Sequence, residues 1–151
     1  MQYHPLIGAT ASKTRAYLHM YKSKWTLIVG DIIALTIITV IGFASHGETD
    51  ISFVPRMFTT FIPLVVSWFL IAPWLRLFDA QITSELKQLW RPPLAMLLAA
   101  PMIAILRAAM LNAVALPLFT IILGGSAALG MLIWRGLYLW WHKKTNEGKP
   151  R

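Results

Sequence analysis

The chain has 151 residues, 57% of them hydrophobic and only 13% charged, about half the charged share of soluble domains. It carries 14 lysines and arginines against 6 acidic residues, a net charge of +8, and no cysteine. That composition argues against a soluble globular domain, and the lack of thiols excludes disulfides, thiolate catalysis and thiolate metal sites.

Residues 1–24 form a basic, polar tail with Lys13, Arg15, Lys22 and Lys24 beside Tyr17 and Tyr21. The segment reads as interfacial, lying along the inner membrane surface, and the apolar run after it is too long for a cleavable signal. That run is the first predicted span, about 25–44. The second is about 57–75, with Pro63 and Pro73 as predicted kinks. Asp79 is placed to cap a short interfacial helix over about 79–89 that carries Ile82, Leu86 and Leu89. From Pro92 to Trp134 the only charged side chain is Arg107. As one helix this stretch would be about 65 Å long, twice the hydrocarbon core. It must fold back, and Asn112 is the polar residue to turn on, with Pro117 suited to a first helical turn. The third and fourth spans are therefore predicted at about 93–111 and 116–140, as a tight antiparallel hairpin. Residues 142–151 make a second basic tail. The predicted fold is all-α, a polytopic membrane protein built as one domain around a four-transmembrane-helix bundle (25–141).

Charge sets the expected orientation. Lys13–Lys24, the group Arg76, Lys87 and Arg91, and the group Lys143, Lys144, Lys149 and Arg151 all fall on one side of this topology. The other side has Arg56 alone, beside Glu48 and Asp50. The positive-inside rule then puts both termini in the cytoplasm of a prokaryote, with the protein multi-pass in its plasma (inner) membrane. The basic clusters read as topology signals and contacts for anionic lipid head groups, not as a nucleic-acid surface. Trp25, Trp74, Trp90, Trp140 and Trp141 fall at the same span ends, where indoles favour the interface.

Three ionisable residues fall inside spans: Asp31, Arg107 and Arg135. A charge at a helix centre costs about 2.5–3.5 kcal/mol on insertion scales, so each needs a partner or water. Asp31 lies about 9 Å along its helix from Trp25, and Arg135 lies at a similar depth before Trp141. Helical steps back from Arg135 meet Met131, Ala128 and Gly124; steps forward from Asp31 meet Leu35, Ile38 and Gly42. Spans one and four are therefore expected to pack through these small residues, pairing Asp31 with Arg135. The pair could lock the register of the bundle or form a ligand or proton-handling site; Arg135 could instead snorkel to the inner surface. At the outer side His46 and Arg107 form a candidate polar site, either a surface ion pair with Glu48 and Asp50 or the mouth of an anion site.

These residues bring a family into view. Gly30-Asp31 opening the first span and Gly42-Phe43-Ala44-Ser45-His46 closing it resemble the family known as domain of unknown function 3054. Phe61-Ile62-Pro63, Leu106-Arg107-Ala108 and Trp134-Arg135-Gly136 fall where that family has its recurring residues. The resemblance runs over roughly Val29–Gly136 and implies a small four-helix prokaryotic membrane protein without an assigned activity. The family commonly has arginine after the first-span glycine, where this chain has Phe43.

Other chemistry finds little support. His4, His19, His46 and His142 show no metal spacing and none is deep in a span, so neither a metal nor a haem is expected. His46 reads as a plain polar residue rather than a pigment ligand. Gly124-Gly125 lacks the following Lys-Ser/Thr of a phosphate loop. No cofactor and no enzyme activity are expected. The favoured function is a non-catalytic subunit or scaffold that packs against partner membrane subunits or a second copy, or binds a lipid-like molecule. The alternative is a small oligomeric transporter or channel. Against it stand the absence of an inverted repeat and the few mid-span hydroxyls, Thr36, Thr39, Ser67 and Ser126. Such hydroxyls usually bond their own backbone.

Overall fold

A computed structural model describes the backbone over residues 6–147 and side chains from Lys24 to Thr145, apart from Ala80 and Gln81. His4, Lys149 and Arg151 lie outside the described residues, as do the side chains of Lys13, Arg15, His19 and Lys22. The helices are α1 (Leu6–Ser45), α2 (Val54–Ile71), the single turn α3 (Ala80–Thr83), α4 (Arg91–Leu111) and α5 (Pro117–Glu147). Among the described residues there is no strand.

Four segments are long and apolar enough to cross a bilayer: Lys24–Ser45, Ile51–Ile71, Leu86–Leu111 and Pro117–Thr145. The chain is an all-α, multi-pass membrane protein. Helices α1 and α4 each pack on both α2 and α5, so the order around the bundle is α1, α2, α4, α5. Only 22–33% of each span's apolar window is buried inside the bundle. Ile33, Ile37 and Ile41 of α1 and Ile121, Leu129 and Leu137 of α5 are exposed, an arrangement that lipid tolerates and water does not.

Three chain reversals share one backbone device. After α1, Gly47 takes φ +74°, and Glu48 N–H and Gly47 N–H close on the carbonyls of Phe43 and Ala44. After α4, Asn112 takes φ 49°, while its N–H and that of Ala113 bond Ala109 and Ala108. After α2, Arg76 takes φ 54°, with Leu77 N–H on Ala72 and Arg76 N–H on Pro73. Each is a Schellman closure that satisfies otherwise orphaned carbonyls. At Gly47 the left-handed conformation is free of steric cost and Asn tolerates it, whereas at Arg76 it costs about 1–2 kcal/mol.

Several expectations need correction. Pro73 is a stop rather than a kink: having no N–H, it ends the regular helix, and the chain continues to Phe78 in turns. Pro63 does lie inside α2. The helix expected over 79–89 is broken into α3 and a 3-10 turn at Leu86–Gln88, because Glu85 is extended at φ −101°, ψ 128°. The carboxylate of Asp79 receives Arg76 Nη2 at 2.8 Å. From Leu6 onward the tail is helical and continuous with the first span, so that α1 has 40 residues. Helix α2 begins at Val54, with Pro55 in its first turn, so Arg56 is helical.

Small residues set the helix spacing, but not all of those anticipated. The Trp134 ring lies directly over Gly30, and Ile38 of α1 sits on Gly130, so these two glycines bring α1 and α5 together. Gly124 faces α4 instead of α1: a Cβ added there would be 2.6 Å from the Cβ of Ala100. Ala128 is buried as expected, whereas Gly42 is exposed with nothing within 4 Å and packs against no helix. Gly30→Ala should therefore overpack the interface and destabilise the fold by about 1–3 kcal/mol, with Gly42→Ala neutral. Thermal unfolding in detergent checks this; equal melting temperatures for the two variants would show that the contact is loose.

Candidate functional site

Asp31 projects from α1 into the bundle with none of its surface exposed, and Arg135 reaches it from α5 with 2% exposed. Arg135 Nη2 lies 2.6 Å from Asp31 Oδ2. Two indoles complete the carboxylate's shell: Trp68 Nε1 of α2 donates to Oδ2 at 3.1 Å, and Trp134 Nε1 donates to Oδ1 at 2.9 Å. Arg135 Nη1 donates at 2.9 Å to the carbonyl of Leu77. The pair thus joins α1, α2, α5 and the linker between α2 and α4.

A buried ion pair repays its desolvation only when its remaining hydrogen-bonding capacity is filled. Here the carboxylate accepts from three donors, one cationic and two neutral. The left-handed turn at Arg76 is what brings the Leu77 carbonyl back over the bundle end. Arg91, at the start of α4, ties the same linker by donating from Nη1 to Leu75 O at 3.1 Å. Arg135 Nε is buried and has no partner.

At the opposite end of the bundle Arg107 meets neutral groups. Its Nε donates to Thr60 Oγ1 of α2 at 3.0 Å, and its guanidinium lies 4.2 Å from the Phe119 ring centre on α5. Glu48 pairs instead with Arg56 at 2.9 Å. His46 is exposed at the end of α1, and no hydrogen bond joins it to Arg107 among the described residues. Arg107 acts as a bracket between α2, α4 and α5. Among the described residues, no group of three His, Cys, Asp or Glu is placed to hold a metal.

Stepping by helical periods brings Asp31 and Arg135 together from the sequence, but it misses both indoles, Thr60 and the Leu77 carbonyl. One signal was present: of the 7 tryptophans, only Trp68 and Trp134 lie well inside spans, away from the interfacial ends. The hydroxyls Thr36, Thr39 and Ser126 bond the backbone of their own helix, at Ile32, Leu35 and Leu123. Ser67 departs from that pattern, with its Oγ buried and unpartnered.

A family model described as Protein of unknown function (DUF3054) matches residues 28–138, a stretch from α1 into α5 that includes Asp31 and Arg135. No curated protein and no solved structure matches the chain.

Removing one member of the pair strands the other. Asp31→Leu should cost between about 0.6 kcal/mol, the average for polar contacts in membranes, and 3–5 kcal/mol, the range for a broken buried pair. Arg135→Leu added to Asp31→Leu should restore part of that loss, as a thermal-melting double-mutant cycle would read. Additive losses would mean that the two charges are not coupled.

Proposed function

The chain belongs to the DUF3054 family, and we propose that it is a non-catalytic component of a prokaryotic plasma membrane. In this reading it is a subunit or scaffold that packs against partner helices or binds a lipid-like molecule. The observation that carries the proposal is the closed middle of the bundle. Leu35, Leu64, Ala99, Ile103, Ala127 and Met131 fill the space between the Asp31 end and the Arg107 end, all with 0% exposure. Thr39, the buried hydroxyl on α1 near that layer, is used by its own helix. An ion or polar solute crossing there would lose its hydration shell and gain no protein ligands in exchange. This argues against the alternative, a small oligomeric transporter or channel, whose path would have to join the two polar ends.

The same features support a non-enzymatic role. The polar groups inside the spans are spent largely on one another: Asp31 on Arg135, Trp68 and Trp134, and Arg107 on Thr60. The outward faces are apolar and suit lipid, a partner membrane subunit or a second copy. Lys24, Arg76, Arg91, Lys143 and Lys144 gather towards the end that holds Asp31, which favours cytoplasmic termini and contact with anionic head groups rather than nucleic acid.

Two measurements test this reading. Reconstituted protein should pass no ions or small polar solutes; flux abolished by Asp31→Asn would overturn the scaffold in favour of the transporter. The cysteine-free chain also lends itself to single-cysteine labelling. Cysteines at Glu48 and Asn112 should label from outside the cell and one at Glu85 only from inside; the reverse pattern would overturn the orientation.

A further inference from the structure

Beside the Asp31–Arg135 pair, between the linker, the start of α4 and the C-terminal half of α5, lies a small partly open cavity whose lining includes Arg135, Arg91, Gln88, Glu85, Leu89 and Pro92. Three of these present buried polar atoms without a partner: Arg135 Nε, Arg91 Nε and Gln88 Oε1. Such atoms are rare in folded proteins because each forfeits a hydrogen bond it had in water. Arg135 is 98% removed from solvent and engaged through its other two nitrogens, so its buried Nε–H is left without an acceptor.

The chemistry of the lining is two-sided. Two guanidinium N–H groups call for an acceptor oxygen, and a phosphate oxygen is the acceptor arginine favours. Gln88 Oε1 and the exposed carboxylate of Glu85 call for a donor that carries positive charge. The free space is about 10 Å³, room for one water-sized oxygen. One phosphate oxygen fits inside, and the rest of its molecule must sit at the rim. The rim lies where a lipid head group would be: Leu86 and Trp90 flank it on the linker, both more than half exposed, and tryptophan marks the interface.

We propose that this cavity seats the head group of a phospholipid bearing a primary ammonium beside its phosphate, as in phosphatidylethanolamine. The phosphate oxygen accepts from Arg135 and Arg91, and the ammonium donates to Gln88 and Glu85. A quaternary ammonium has no N–H for Gln88, and a glycerol head group brings no positive charge to Glu85, so choline and glycerol lipids fit less well. The inference rests on the lipid-binding form of the proposed function and names the lipid.

The test is native mass spectrometry of the full chain released from micelles containing equal amounts of phosphatidylethanolamine, phosphatidylcholine and phosphatidylglycerol. Retention of the ethanolamine lipid should exceed that of the other two by about tenfold, the discrimination expected of one charge-assisted hydrogen bond. Gln88→Leu should erase most of the preference over phosphatidylcholine, and Glu85→Gln, at an exposed position, most of that over phosphatidylglycerol, both leaving the melting temperature in lipid-free detergent unchanged. Equal retention of the three lipids, or preference untouched by both variants, would overturn the proposal and leave the cavity to water. Displacement of the lipid by millimolar soluble phosphoethanolamine would show that a free zwitterion, not a lipid, is the occupant. Flux through reconstituted protein is a separate readout, so failure of the closed-bundle reading and failure of this one are distinguishable.

Discussion

A single carboxylate stripped of water organises this protein. Asp31 sits with none of its surface exposed in a helix that must cross hydrocarbon, and it can stay there as an anion only if donors converge on it. Those donors come from two other places in the chain: the Trp68 indole on α2, and the Trp134 indole and Arg135 guanidinium on α5. Meeting that one requirement fixes the depth and rotation of three helices. The Leu77 carbonyl, bound to the far side of Arg135, then fixes the linker. Most of the linker end of the bundle follows from satisfying one charge.

Such a device matters more in a membrane than in water. Lipid tails are as apolar as leucine, so burying α1 against α5 gains little from the hydrophobic effect and depends on close packing and polar contacts. Helices α1 and α5 achieve that closeness by placing Trp134 over Gly30 and Ile38 over Gly130. The ring that packs on Gly30 also presents its N–H to Asp31, so packing and hydrogen bonding reinforce each other at the same residue. At the other end Arg107 does comparable work with Thr60 and Phe119. Between the two ends the filled apolar layer separates one set of polar groups from the other.

Much of this architecture was legible in the sequence, for simple reasons. Span length follows from helical rise and bilayer thickness, and the Pro92–Trp134 run had to fold back, with Asn112 its one strongly polar uncharged residue; Asn112 is indeed the left-handed turn. Depth and helical stepping were enough to pair Asp31 with Arg135. What escaped was information carried by rotation and by backbone. The position of Trp68 inside a span sets it apart from the interfacial tryptophans, but its sequence position does not name Asp31 as the acceptor of its indole. Gly42 falls on the expected stripe, but α1 meets no neighbour there. The pattern over 79–89 suits a helix, yet the extended backbone at Glu85 interrupts it. Arg76, a residue with no preference for left-handed backbone, adopts it where the chain closes α2 and returns Leu77 to Arg135.

The most direct test of the Asp31 network watches the two indole protons it holds. The chain has 7 tryptophans, and Trp74, Trp90, Trp140 and Trp141 are each more than half exposed. In nitrogen-15 NMR of detergent-solubilised protein, the indole signals of Trp68 and Trp134 should persist after transfer to deuterated water while those four exchange. In Asp31→Leu the protection of both should be lost together. If Asp31→Leu leaves either indole as protected as before, the carboxylate is not what gathers the three helices.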